Sequence, residues 1–206
     1  MEASVEAPPR RLEGEKAQRI IAAMRESVGK RGAAGSTFDH VAREAGVSRG
    51  LLHYYFGSKE RLLVEVVRHD ADVRIALMEE RIAGADSVDG IIAGLVHGLE
   101  EFLEDESSGS QAVLYELISA SRHSEEIRAE LAELYRRWRA ALTEALREKE
   151  RAGIVKLQAD PETVASVLCA LGDGLGMQVV SDPEWDKEPT FELGIRTVRR
   201  LLGGRD

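Results

Sequence analysis

The chain has 206 residues, of which 43% are hydrophobic, so it can bury a core and is not expected to be a disordered regulator. Its single cysteine, Cys169, excludes an intramolecular disulfide and a cysteine-based zinc site, and fits a reducing cytoplasm. The first residues contain no apolar signal core, and no apolar run is expected to reach membrane-spanning length. We therefore expect a soluble cytoplasmic protein without a membrane partner.

The net charge of −9 argues at first against a nucleic-acid partner, but the charge is unevenly distributed. Residues 1–61 contain 11 basic and 8 acidic residues, a net charge of +3, while the remainder contains 17 basic and 29 acidic residues, a net charge of −12. A phosphate-binding surface needs positive charge only locally. The total charge therefore does not exclude DNA binding.

The predicted elements are helical, because apolar residues recur at three- and four-residue steps between breaks that contain Gly or Pro. In chain order, residues 1–11 are predicted to be a disordered arm, a first helix ends near Gly32, and a long helix runs from Ser58 to about Ile82. The other helices are predicted at 37–45, 48–55, 87–105, 110–122, 124–152, 160–181 and 188–202. The fold class is therefore all-α.

The two very short helices at 37–45 and 48–55 cannot be stable alone and must share a core. Gly46 lies where the chain has to turn sharply, and Ser48 is placed to cap the second helix. The apolar residues assigned to the shared core are Phe38, Val41, Ala45, Val47, Leu52 and Phe56. This spacing predicts a helix-turn-helix.

The second of these helices presents a guanidinium, an apolar side chain and ring donors outward, all of which suit a DNA major groove. Lys59 opens the next helix, where its ammonium and the free backbone N–H groups can both meet a phosphate. The residues predicted to bind DNA are Thr37, Ser48, Arg49, Gly50, Leu51, His53, Tyr54 and Lys59.

The same segment resembles the DNA-binding half of the tetracycline-repressor (TetR) family. That half usually has paired Ile and Ala residues, then Thr, Ile/Val-Ala, Ala-Gly-Val-Ser, a Gly-containing recognition helix, an aromatic run ending in Phe, and Ser-Lys-Glu. The matching residues here are Ile20-Ile21-Ala22-Ala23, Thr37, Val41-Ala42, Ala45-Gly46-Val47-Ser48, Gly50, Leu52-His53-Tyr54-Tyr55-Phe56 and Ser58-Lys59-Glu60. Leu51 and His53 depart from the common pattern, so the operator sequence is not carried over.

The resemblance implies a homodimer that places two recognition helices in successive major grooves of a double-stranded DNA operator. It also implies an N-terminal three-helix DNA-binding domain, here 12–57, and a C-terminal helical domain for ligand binding and dimerisation, here 58–206. The implied function is that of a repressor released from a pseudo-palindromic operator by a small-molecule effector. The alternative is a ligand-binding adaptor that kept the fold but not DNA binding, against which the retained Arg49, Tyr54 and Lys59 argue.

The segment from Leu171 to Gln178 is rich in glycine, but it lacks the preceding strand and the lysine of a phosphate-binding loop. We interpret its small residues as a place of close helix packing. Together with the residues that follow, to Pro183, it is similar to the C-terminal domain of the betaine-regulator subgroup of TetR proteins. Helices 160–181 and 188–202 are predicted to form the dimer interface through Val164, Val167, Leu168, Leu171, Leu175, Phe191, Ile195, Val198 and Leu202.

A mixed apolar and polar effector pocket is predicted on the helices between residues 87 and 181. The candidate ligand-binding residues are His97, Tyr115, Glu116, Tyr135, Trp138, Asp173 and Met177, although each taken singly fits a core or surface position as well. Gly90, Gly94 and Gly98 recur once per turn and leave room for a ligand or, the preferred interpretation, for a neighbouring helix. No catalytic arrangement, cofactor fingerprint or metal-ligand spacing is visible, so neither an enzyme nor a cofactor is predicted.

Overall fold

A computed structural model describes residues 14–104 and 110–204, and within these ranges the chain forms nine α-helices and no strand. The helices are α1 Glu15–Gly35, α2 Phe38–Ala45, α3 Arg49–Phe56, α4 Lys59–Gly84, α5 Val88–Glu104, α6 Ser110–Ala120, α7 Glu125–Arg151, α8 Pro161–Ser181 and α9 Glu188–Leu201. The all-α prediction is confirmed, and the predicted bounds of α2 to α9 are met within two residues. The arm predicted at residues 1–11 lies outside the described residues.

Helix α1 continues past the point where it was predicted to end. Gly32 has a φ of 68° and interrupts the helical geometry, but the helix resumes and ends at Gly35. The Ser36 hydroxyl donates to the Gly32 carbonyl at 2.8 Å. The glycine therefore produces a kink rather than a terminus, because the carbonyl that the kink frees has a side-chain partner.

The described residues of 14–70 and 110–131 form one compact unit, which contains α1 to α3, the first part of α4, α6 and the start of α7. Its buried core includes Ile20, Met24, Val28, Val41, Leu52, Leu62, Leu63, Val113, Leu117 and Ile127. At its surface, Arg61 Nε donates to Glu126 Oε1 at 2.8 Å, and Arg68 Nε donates to Glu130 Oε2 at 3.0 Å. These pairs join the start of α4 to the start of α7.

The described residues of 71–104 and 132–204 form the second unit, from the rest of α4, α5, the rest of α7, α8 and α9. Its core is Met78, Ile82, Ile91, Ile92, Leu142, Leu146, Val155, Val164, Ala165, Leu168 and Leu202. The Lys149 ammonium donates to the carbonyls of Ala83 and Ala85 at 2.8 and 2.7 Å. A cation on carbonyl groups around the C-terminus of α4 is favoured by the helix dipole.

The glycine series on α5 serves the packing of α5 against the end of α4, as the sequence analysis preferred. A Cβ atom on Gly94 would lie 3.2 Å from Arg81 Cβ, and one on Gly98 would lie 3.3 Å from Arg81 Nη1. The Arg81 side chain passes over these glycines and donates to Glu101 at 2.7 Å. An arginine side chain, not a ligand, therefore occupies the space at Gly94 and Gly98.

Helix α8 corrects the expectation that no apolar run reaches membrane-spanning length. It has 21 residues, and a window of it has a mean hydropathy of 1.5 with 22% of that window buried. The apolar sequence of α8 is interrupted by Glu162, Asp173 and several glycines, but these residues do not lower the mean hydropathy below that of a possible membrane span. Length and composition alone would thus allow a membrane span, a test that core and interface helices also pass.

Cys169 lies on α8 and packs against the core of the second unit. Burial, together with the charge of Asp173, raises the pKa of the Cys169 thiol from 9.0 to about 11. A raised pKa means less thiolate at a given pH, and the thiolate is the reactive form.

We therefore expect native Cys169 to react with iodoacetamide about a hundredfold more slowly at pH 8 than in the urea-unfolded chain, since two pKa units correspond to that factor. Mass spectrometry of the alkylated fraction with time measures both rates. The alkylation rate of the native protein should still rise tenfold per pH unit near pH 9, whereas the rate of the unfolded chain should begin to level off with pH there. A native profile that levels at the same pH as the unfolded one would contradict the burial of the thiol.

Candidate nucleic-acid interface

Helices α2 and α3 each begin at a side-chain cap, of which Ser48 was predicted from the sequence and Thr37 was not. The Thr37 Oγ1 atom accepts from His40 N at 3.3 Å, and the Ser48 Oγ atom accepts from Leu51 N at 3.2 Å. Gly46 has φ 65° and ψ 37°, the left-handed conformation that suits glycine. Caps and turn together fix the direction in which α3 leaves α2.

The shared core predicted for the two helices is present. Phe38, Val41 and Ala45 on α2 and Leu52 and Phe56 on α3 are all buried, with no more than 7% of any of them exposed. Val47, in the turn, is half-buried. Because the buried residues of α3 lie on one side, its opposite side is available to a partner.

That opposite side carries most of the residues predicted to bind DNA. Thr37, Ser48, Arg49, Gly50, His53 and Tyr54 are exposed, and Tyr54 has 62% of its surface accessible, while Leu51 and Lys59 are half-buried. A Cβ atom on Gly50 would meet only Ser48 Oγ, at 4.0 Å. Packing inside the protein therefore does not require a glycine at the exposed start of α3.

The structure places Lys59 differently from the expectation. Its ammonium donates to the Ala33 carbonyl at 2.8 Å, beyond the kink in α1, and its side chain is half-buried. The start of α4 is instead capped by Ser58, whose Oγ atom accepts from Arg61 N at 3.2 Å. A phosphate contact by Lys59 stays a prediction, and it would have to share the ammonium with Ala33.

Asp39 is a residue of this surface that the sequence analysis missed. Its carboxylate accepts from Arg49 Nη1 at 3.1 Å across the turn, and both side chains are more than half exposed. The signal was available in the sequence as an acid at the second position of α2 and a basic residue at the first position of α3. Whether these two side chains meet depends on the angle between α2 and α3, which the sequence alone does not give.

Surface charge on the rest of α2 is similarly balanced. Arg43 is exposed, whereas Glu44 forms an ion pair with Arg31, in which Glu44 Oε1 lies 2.9 Å from Arg31 Nη1. The interface is thus not a continuous basic patch, and its positive charge is concentrated in a few side chains.

Of the predicted effector-binding residues, the structure brings Tyr135 and Asp173 together in the second unit. Desolvation raises the pKa of the Asp173 carboxyl, and the hydrogen bond from Tyr135 opposes that rise. Trp138 packs against the core of the same unit, His97 pairs with Glu101 at 3.3 Å, and Met177 is exposed. The other two candidates, Tyr115 and Glu116, lie on α6 in the first unit.

The predicted dimer-interface residues divide into two groups. Val164, Leu168 and Leu202 are buried in the core of the second unit, and Ile195 and Val198 pack against it, because the inner sides of α8 and α9 face that core. Val167 is 39% exposed, and Leu171, Leu175 and Phe191 are half-buried. The structure adds three exposed apolar residues that the sequence analysis did not assign, Met177, Val180 and Leu193.

No group of three or more His, Cys, Asp or Glu side chains in the described ranges is arranged to hold a metal ion.

Comparison with known proteins gives two family matches in tandem. The model described as bacterial regulatory proteins, tetR family, matches residues 20–66, and the model described as BetI-type transcriptional repressor, C-terminal, matches residues 92–203. The first match covers α2 and α3 with the turn between them. The second covers α6, α7, α8 and α9 in full.

Individual relatives agree with these matches. The regulator BetI of Rhizobium meliloti is 32% identical over 152 residues, which are 72% of this chain and 70% of that protein. The regulator UidR of Escherichia coli K12 is 24% identical over 189 residues, 90% of each chain. A solved structure of a transcriptional regulator from Saccharomonospora viridis in complex with choline aligns with a TM-score of 0.72 at 21% identity, over 91% of this chain and 97% of that one. The structural likeness supports the fold, and the family matches define the class of protein.

Proposed function

Because the chain belongs to the TetR family of bacterial regulatory proteins, with a BetI-type C-terminal domain, we propose that it represses transcription as a homodimer bound to a pseudo-palindromic operator and leaves the operator when a small-molecule effector binds. The family consists of DNA-binding transcriptional regulators, not enzymes. A protein that works on the chromosome belongs in the cytoplasm, where we place it.

The observation that carries the proposal is the exposed side of α3, held in a fixed direction by two capped ends and a left-handed glycine. Such a helix can enter a major groove and present its first residues to base edges. Gly50 leaves room there for the backbone of α3 to come close to DNA.

The first experiment is selection of genomic DNA fragments by the purified protein at one fixed, near-physiological salt concentration, because phosphate contacts make affinity depend on salt. Arg49→Ala should then weaken binding to the enriched fragment about 10- to 100-fold, since a hydrogen bond from a charged group contributes about 1.5–3 kcal/mol. Electrophoretic mobility shift titrations measure the change.

The matched control is Arg136→Ala, which removes the same charge from an exposed arginine on α7 that pairs with Glu133 at 2.7 Å. It should leave DNA binding unchanged. Equal losses for both variants, or no loss for Arg49→Ala, would refute the assignment of α3. A protein that enriches no fragment, with or without a metabolite extract, would be the ligand-binding adaptor instead.

The homodimer is supported by the apolar residues that α8 and α9 leave exposed. Met177, Val180 and Leu193 have 51%, 40% and 58% of their surfaces accessible, although α8, which contains two of them, is long and apolar enough to span a membrane. A Cβ atom added to Gly172 or Gly174 would have nothing within 4 Å, so a second copy of α8 can approach closely there. A helical interface with the partner protomer would cover this side without a membrane.

Met177→Glu is therefore expected to shift the protein from dimer to monomer, because it places a charge where two apolar surfaces would meet. Sedimentation velocity across a concentration series measures the shift. Val73→Glu, at an apolar residue on α4 that is 48% exposed, is the control and should leave a dimer. A wild-type protein that sediments as a monomer at all concentrations would contradict the homodimer.

For the effector, we propose a site on the second unit that includes Asp173, Tyr135 and Trp138. Tyr135 hydrogen-bonds to the Asp173 carboxyl, and Trp138 follows one turn after Tyr135 on α7. A carboxylate and aromatic rings together suit a cationic ligand through charge and cation–π attraction. Choline, which is bound in the Saccharomonospora viridis structure, is the first compound to test.

Choline at about 100 times its dissociation constant should stabilise the wild-type protein by about 2.7 kcal/mol, and Asp173→Asn should remove most of that gain. Chemical denaturation with and without choline measures both. Glu162→Gln, an exposed acid on the same helix, should keep the gain. Stabilisation that survives in Asp173→Asn would place the ligand elsewhere, and no stabilisation of the wild type would exclude choline.

A further inference from the structure

Arg49 is held by two residues of its own protomer at the same time. Besides the Asp39 pair, its Nε atom donates to His53 Nε2 at 3.3 Å. The His53 ring lies edge-on against buried Phe38, with ring centroids 4.8 Å apart at an angle of 70°. Because an arginine can only donate, His53 Nε2 is the acceptor of this hydrogen bond.

Two of the three guanidinium nitrogens are therefore engaged. Within the described part of the chain, Nη2 of Arg49 has no hydrogen-bond or ion-pair partner. The side chain is 59% exposed, so this edge of the guanidinium is open to solvent.

We propose that Asp39 is a specificity-determining residue, whose carboxylate holds Arg49 in position to read a base edge and keeps it from pairing with phosphates. This proposal rests on the proposed function, because it concerns the same DNA-binding surface. Asp39 acts through Arg49 and is a positioning residue.

The stability of the fold does not account for the ion pair between Asp39 and Arg49. Ion pairs between exposed side chains contribute little to stability, and Asp39 and Arg49 have 63% and 59% of their side chains exposed. Both backbones are already fixed, Asp39 beside the Thr37 cap and Arg49 beside the Ser48 cap. What the pair does determine is where the guanidinium points.

The pair also determines the charge that is presented to DNA. A phosphate that approaches Arg49 also approaches the Asp39 carboxylate, which repels it. A base edge carries no net charge, so Arg49 can donate to it through Nη2 while it keeps both of its protein contacts. The carboxylate therefore acts against sequence-independent binding more than against sequence-specific binding.

The test compares wild type and Asp39→Asn on two duplexes, the fragment enriched from genomic DNA and a shuffled duplex of the same length and composition. Asp39→Asn should bind the shuffled duplex about fivefold more tightly per protomer at about 0.15 M salt. The plot of the logarithm of the binding constant against the logarithm of the salt concentration should become steeper by about 0.9, as expected for one added phosphate contact. Affinity for the enriched fragment should not rise, so the specificity ratio falls by the same factor or more. Fluorescence anisotropy over a salt series measures these quantities.

The matched control is Glu44→Gln, which removes the same charge from the same helix but from the partner of Arg31 instead. It should leave the slope and the ratio at their wild-type values. Asp39→Glu keeps the charge and should restore the weak binding to the shuffled duplex. Thermal melting should place all variants at the wild-type midpoint, since the residues changed make no large contribution to the core.

An Asp39→Asn protein with an unchanged ratio and slope would overturn the proposal, and so would equal effects of Asp39→Asn and Glu44→Gln, which would mean a general charge effect. A wild-type protein without preference for any fragment would instead overturn the proposed function. The wild-type titrations alone show that outcome, so it can be distinguished from a failure of the proposal about Asp39.

Discussion

The proposed DNA-binding surface depends on a core that neither of its helices can build by itself. Helices α2 and α3 have 8 residues each, too few for a helix to be stable alone in water. They persist because Phe38, Val41, Leu52 and Phe56 are buried together, and because Gly46 turns the chain so that these residues meet. The position of every outward side chain of α3 follows from that buried contact.

The same surface contains few basic groups, and two of them have partners within the protein. Arg49 is paired with Asp39, and Lys59 donates to a carbonyl at the end of α1. With these two groups engaged, the proposed DNA-binding surface would depend less on bulk attraction to phosphates and more on the fit of individual contacts.

The local structure could be read from the sequence because it depends on short-range chemistry. Caps, the turn glycine and apolar spacing act within a few residues, so the bounds of α2 and α3 and the roles of Gly46 and Ser48 could be predicted. The partners of Lys59 and Arg49 could not, because they come from other helices whose angles a sequence pattern does not contain. For the same reason, apolar spacing on α8 did not distinguish Val164, which faces the core, from Met177, which faces solvent.

The lysine contacts at the two ends of α4 differ in kind from the ion pairs along it. Lys59 and Lys149 donate to backbone carbonyls, whereas Arg61 and Arg68 donate to glutamates. A backbone carbonyl carries no net charge, whereas each arginine pair depends on the attraction between two charged side chains, which dissolved salt screens. Added salt would therefore weaken the arginine pairs that join α4 to α7 more than the lysine contacts that hold the two ends of α4.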